Sequence, residues 1–159
     1  MLYGDENYQL YRHGDTGFSG ILSPSGGYGV LHFQEDYYCP TVTRLSEYTW
    51  EIATDHGDGY VQRDYWNLRK KNNYHTTYDY AIALGHRKIA FLDGELKNRT
   101  LVVCDLFDTD TAQTFTDLGF KAENMPVTAA AFSENDTRLT LTYYTDQGTE
   151  TNVTLELSP

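Results

Sequence analysis

Basic residues are scarce in this 159-residue chain: 12 Lys and Arg stand against 23 Asp and Glu, for a formal net charge of −11. Binding to phosphates needs a basic field, so the chain as a whole opposes nucleic-acid recognition, and its acidic balance favours solubility. Cysteine is nearly absent as well. Cys39 and Cys104 are far apart, with no CxxC pair and no companion cysteines to build a zinc site. A single bridge would be compatible with them, but Cys104 sits in the apolar run "LVVC", which favours a buried free thiol there. No apolar run approaches the roughly 18 residues of a membrane span. The opening "MLYGDENYQLYRHGD" lacks the charged-then-apolar plan of a signal peptide. These absences predict a soluble chain without a membrane span, either cytoplasmic or a processed extracytoplasmic domain. Helical periodicity is missing too, and only "YWNLRKKNN" has the makings of a helical turn or two.

What is present is strand signal, in a chain long enough for one domain with a core of its own. Short runs rich in Tyr, Thr, Val, Ile and Phe recur at 8–13, 27–34, 48–54, 59–66, 74–84, 87–94, 99–108, 113–120, 138–145 and 151–157. Most are separated by Gly, Asp, Asn or Pro clusters, which predicts an all-β fold of antiparallel strands. Of the 14 tyrosines, 12 lie at or before Tyr80, as do Trp50 and Trp66. Such aromatics either pack a tyrosine-heavy core or display a binding surface.

Three stretches share a small or apolar entry, a polar turn and an alternating strand: "GILSPSGGYGVLHF" at 20–33, "YAIALGHRKIAFLD" at 80–93 and "TAAAFSENDTRLTLTYY" at 128–144. Leu31 and Leu141 fall eight residues after Ser23 and Ser133, and Phe33 and Tyr143 follow two residues later; Ile89 and Phe91 are expected in the same inward positions of the shorter middle copy. After that copy, "LVVCDLFDTDTAQTFTDLG" reads as a further strand, turn and strand. On these segments the chain resembles the blade repeats of β-propellers of the TolB-like and WD40-like kind. The resemblance implies antiparallel meanders in blade-like units, about 1–47, 48–98 and 99–159 within a single domain 1–159, and a surface used as a binding platform. No GH…WD signature accompanies it, and three units fall short of the four to eight blades that close a propeller. It therefore implies a propeller-like fragment or an open blade stack completed through its sheet edges, by homo-oligomerisation or by another chain. A β-sandwich is the alternative.

The aromatic and basic stretch from Arg63 to Lys88 is the leading functional candidate. Arg63, Tyr65, Trp66, Arg69, Lys70, Lys71, Tyr74 and Tyr78 could anchor a protein partner or stack on a glycan. The same charges could instead keep a strand edge from pairing. In "ATDHGDGY", Asp55, His56 and Asp58 could hold a cation or act as acid and base, although Asp and Gly suit a hairpin tip for backbone reasons alone. "DLFDTDTAQ" lacks the glycine and distal glutamate of a calcium loop, and no HExxH, GxSxG or phosphate loop is present. Sequons at Asn98, Asn135 and Asn152 have meaning only in a eukaryotic secretory setting. The expectation is a non-catalytic binding module that needs no cofactor, with a carboxylate-based carbohydrate-active hydrolase or lyase as the alternative.

Overall fold

The computed structural model describes residues 3–4, 8–12, 18–22, 29–33, 41–46, 48–57, 59–67 and 74–158; side chains are described from Thr41 onward in these stretches, apart from that of Tyr74. The protein is all-β. Its strands are β1 (Tyr3–Gly4), β2 (Tyr8–Arg12), β3 (Phe18–Leu22), β4 (Gly29–Phe33), β5 (Thr41–Arg44), β6 (Thr49–Asp55), β7 (Val61–Asn67) and β8 (Tyr74–Tyr78). There follow β9 (Ala81–Leu84), β10 (Lys88–Asp93), β11 (Thr100–Asp105), β12 (Asp108–Phe115), β13 (Val127–Phe132), β14 (Arg138–Tyr144) and β15 (Glu150–Glu156). They form four meanders in chain order, β1–β4, β5–β8, β9–β12 and β13–β15, and every pairing resolved to the residue is antiparallel. Among the described residues, no helix is long and apolar enough to cross a membrane.

Register, rather than the spacing of turn residues, groups these strands. The expected break between residues 98 and 99 falls inside a hairpin, because β10 and β11 pair from Lys88↔Asp105 to Asp93↔Thr100. The link between them is a single 3-10 turn, Leu96–Asn98. Gly94 enters it at φ +90, and a Cβ there would stand 3.0 Å from the Asn98 carbonyl oxygen, so the turn requires glycine.

Each of the three similar stretches is a hairpin: β3–β4, β9–β10 and β13–β14. The first and third share one register, with Leu22↔Gly29 and Gly20↔Leu31 matching Phe132↔Leu139 and Ala130↔Leu141. They differ in place, since β3–β4 closes its sheet and β13–β14 opens its own.

Two compact units divide the chain, Met1–Asp55 with Arg63–Thr77, and His56–Gln62 with Tyr78–Pro159. In the first, β6 buries Trp50, Ile52 and Thr54 at alternate positions, as period-2 patterning demands. In the second, one core joins Ala90, Leu92, Leu101 and Val103 to Phe120, Val127, Leu139, Leu141, Tyr143 and Leu157. Ile89 and Phe91 thus lie on the other face of β10, where Phe91 meets the Tyr78 ring at 5.0 Å between centroids. The expected equivalence was one residue out of step: both faces of this strand are covered, and a bulge at Ala90/Phe91 shifts its pairing with β9.

Cys104 is a buried free thiol. Burial raises its pKa most; the nearby Tyr78 hydroxyl lowers it, and the charges of Asp105 and Asp108 add to the rise. A raised pKa in the folded state makes the neutral thiol's contribution to stability complete below the unfolded-chain value and progressively lost as pH climbs above it. A thiol reagent at neutral pH should therefore label Cys104 only on unfolding, with alkaline destabilisation that Cys104→Ala reduces; rapid labelling of the native protein would contradict this.

Candidate functional site

Successive residues of β7 face opposite sides, so Arg63 and Tyr65 share one face and Asp64 and Trp66 the other. On the first face Glu51 of β6 uses both carboxylate oxygens: Arg63 Nη1 donates to Oε1 at 3.0 Å and the Tyr65 hydroxyl to Oε2 at 2.7 Å. On the second face Asp64 is a buried carboxylate whose Oδ1 accepts from Thr77 Oγ1 at 2.5 Å and lies 2.9 Å from His75 Nε2. The imidazole stacks on Trp66, with ring centroids 4.3 Å apart and planes inclined by 22°. Its side chain stays 39% exposed, whereas the Asp64 side chain is 9% exposed. The Trp66 indole N–H is buried without a hydrogen-bond partner among the described residues.

This geometry fixes an imidazole at the surface without making a nucleophile. The Thr77 proton goes to the same Asp64 oxygen that faces His75, and Thr77 Oγ1 lies 3.3 Å from Nε2. In a hydroxyl–imidazole–carboxylate relay the imidazole must stand between the other two and take the hydroxyl proton. Here the carboxylate is the hub. The cluster holds a flat aromatic–imidazole pair in place, with the Thr77 hydroxyl turned to the carboxylate.

Of the residues expected at a site, Tyr65 and Tyr78 are core side chains, 0% and 4% exposed, and the Tyr78 hydroxyl donates to the Leu106 carbonyl at 2.8 Å. Arg63 is held by Glu51; Arg87 and Lys88 both reach Asp105, at 3.2 and 3.5 Å. Arg69, Lys70, Lys71 and the Tyr74 side chain lie outside the described residues, as does Asp58. Asp55 is exposed at the end of β6, and His56 stacks on Tyr60 at 5.0 Å. No group of three or more His, Cys, Asp or Glu side chains among the described residues is placed to hold a metal ion.

Two clusters escape the sequence reading. In one, the His56 ring stacks on Tyr60 and the Tyr60 ring meets Tyr80 at a tilt of 40°, each pair 5.0 Å between centroids, and the Arg99 guanidinium carbon lies 3.9 Å from the Tyr80 ring centroid. Arg99 is 7% exposed; its Nη1 donates to the Asn124 carbonyl at 2.7 Å and its Nε has no partner among the described residues. A desolvated cation over an aromatic face contributes about 2 kcal/mol. Arg99→Met should lower the urea-unfolding free energy by about that amount, and an unchanged midpoint would show the stack to be passive. No local signal marks this pairing, since Tyr80 and Arg99 belong to different turns of the chain.

In the other cluster Asp136, 5% exposed, accepts three backbone N–H groups of the β9–β10 turn: His86 at 3.1 Å, Arg87 at 2.7 Å and Lys88 at 3.1 Å. It lines a cleft of about 460 Å³ with Arg87, Lys88, Asp105 and Glu134, where the bases are already engaged by Asp105. Asp136 takes a left-handed φ of +55, which Asp and Asn tolerate better than most residues. That tolerance is the only sequence trace of its role. A scan against protein-family models found no match to this chain, and a search of curated proteins found none either.

Proposed function

We propose that the protein is a non-catalytic interaction module that binds an acidic segment of a protein partner at the β7–β8 end of its second sheet. The supporting observation is the Trp66–His75 pair, anchored by Asp64 at the two strands that flank residues 68–73. Those six residues include Arg69, Lys70 and Lys71. Of the six bases between Arg63 and Lys88, Arg63, Arg87 and Lys88 are engaged by Glu51 and Asp105; recognition of an acidic group is assigned to Arg69, Lys70 and Lys71 on their charge in the sequence. The surface is carried by one antiparallel meander, β5–β8, and its use as a binding face is an analogy from fold. The hydrolase alternative has less support: Asp55 is exposed at a strand end, His56 is stacked on a tyrosine, and among the described residues they belong to no group of three or more His, Cys, Asp or Glu placed to hold a metal ion.

The test uses a fluorescein-labelled peptide of alternating Glu and Tyr. Reversal of the triplet, R69E/K70E/K71E, should abolish binding, and Trp66→Ala should weaken it about tenfold or more. Raising salt should weaken wild-type binding as well. Equal binding by wild type and the reversal variant, with both folded by circular dichroism, would sink the proposal. Binding of a neutral oligosaccharide in preference to the peptide would replace the protein partner with a glycan.

A further inference from the structure

Among the described residues, the fourth meander is one strand short. The sheets β1–β4, β5–β8 and β9–β12 each carry four strands, whereas β13–β15 carries three and ends on β15. This edge is long: seven consecutive residues of β15 pair with β14, from Arg138↔Glu156 to Tyr144↔Glu150. Its other side has no ladder partner among the described residues. Val153 and Leu155 pack against the core of the second unit yet remain only partly buried, so the apolar layer stops half covered at this strand.

We infer that β15 accepts a fourth strand from another polypeptide, and that this strand carries a base at each end of an alternating apolar run. The charge pattern selects the occupant. Glu150 and Glu156 close the two ends of the edge, and neither forms an ion pair among the described residues. A second copy pairing antiparallel through its own β15, centred on Val153, would set Glu150 opposite Glu156 twice. Like charges directly across a ladder destabilise it, and opposite charges there stabilise it. The same two acids therefore repel a copy of this chain and attract a strand with Lys or Arg at its ends. Apolar residues at alternate positions of the added strand would stand beside Thr151, Val153 and Leu155 and complete the layer, while its backbone pairs the open edge. This surface is distinct from the β7–β8 end and takes a partner of opposite charge.

The experiment uses the capped heptapeptide Lys-Val-Thr-Val-Thr-Val-Lys, whose antiparallel alignment puts Lys across from both glutamates and Val across from Thr151, Val153 and Leu155. It should bind the wild-type chain at least about tenfold more tightly than the same peptide with Glu at both ends, the sum of two attractive pairs against two repulsive ones. N-methylation of alternate peptide amides should abolish binding. The variant E150K/E156K should reverse the preference; its folding is checked by circular dichroism, and if it does not fold, the wild-type comparison decides alone. Failure of the Lys-ended peptide to bind, equal binding of the two peptides, or a concentration-dependent dimer in sedimentation that the peptide does not dissociate would each overturn the assignment.

Discussion

Asp136→Ala is expected to lower the unfolding free energy by about 3 kcal/mol and the melting temperature by roughly 10 °C. One carboxylate serves the N–H groups of three consecutive residues, His86, Arg87 and Lys88, with Oδ2 taking two of them. At 5% exposure little water can replace it. Alanine leaves donors of a tight turn unsatisfied, and hydrogen bonds to a charged acceptor contribute about 1.5–3 kcal/mol each before partial rehydration of the turn. Asn should recover part of the loss, because its carbonyl oxygen can still accept while its amide group cannot. Gly85 makes room for this carboxylate. A Cβ at that position would fall within 2.8 Å of three atoms of the Asp136 carboxyl group. The carboxyl cannot move aside without releasing the three amides, so Gly85→Ala should cost about 2 kcal/mol or more by overpacking. The double variant G85A/D136A should be less destabilised than the sum of the two, since alanine at 136 removes the clash. Urea titrations of the four proteins measure this coupling. Additive losses would show that the two residues do not meet.

The second large effect is expected at Leu141. It is fully buried and belongs to the core that also holds Leu92, Leu101 and Leu139. Its neighbours across the ladder are Ala130 on β13 and Val153 on β15. Leu141→Ala removes apolar volume between two paired strands that cannot both collapse inward, and such truncations cost about 3 kcal/mol. Leu141→Met, which nearly conserves volume, should cost about 1 kcal/mol. Thr140→Ala on the same strand offers a control. Thr140 is exposed, and its hydroxyl meets that of Thr154 at 3.1 Å, so its loss should stay within about 0.5 kcal/mol. If Leu141→Ala and Thr140→Ala proved equally mild, the burial of alternate residues along β14 would be refuted.

The strand class was legible because its signals are local. Alternation along "RLTLTYY" becomes the buried triad Leu139, Leu141 and Tyr143, and the spacing from Ser23 to Leu31 and from Ser133 to Leu141 becomes a shared hairpin register. The middle copy was misaligned by one residue. A strand covered on both faces has no polar positions to reveal its phase, and Ile89, Ala90 and Leu92 are all buried. The aromatic stretch was recognisable as a whole but not residue by residue. Tyr65 and Tyr78 went to packing while Trp66 took a half-exposed imidazole as its neighbour. Which aromatic faces the interior depends on strand parity, and that depends on where each turn ends.

By itself, then, the chain determined its all-β character, its antiparallel hairpins and the buried thiol at Cys104, because backbone preference, period-2 alternation and turn chemistry act over a few residues. The tertiary structure alone decided that Asp136 would hold the 86–88 turn, that Arg99 would lie over Tyr80, and that Glu51 and Asp105 would engage half of the central cations. Those pairings join residues from about 12 to 50 positions apart. They cost nothing to leave unmade in the unfolded chain, where water satisfies every group; only burial on folding makes each partner obligatory.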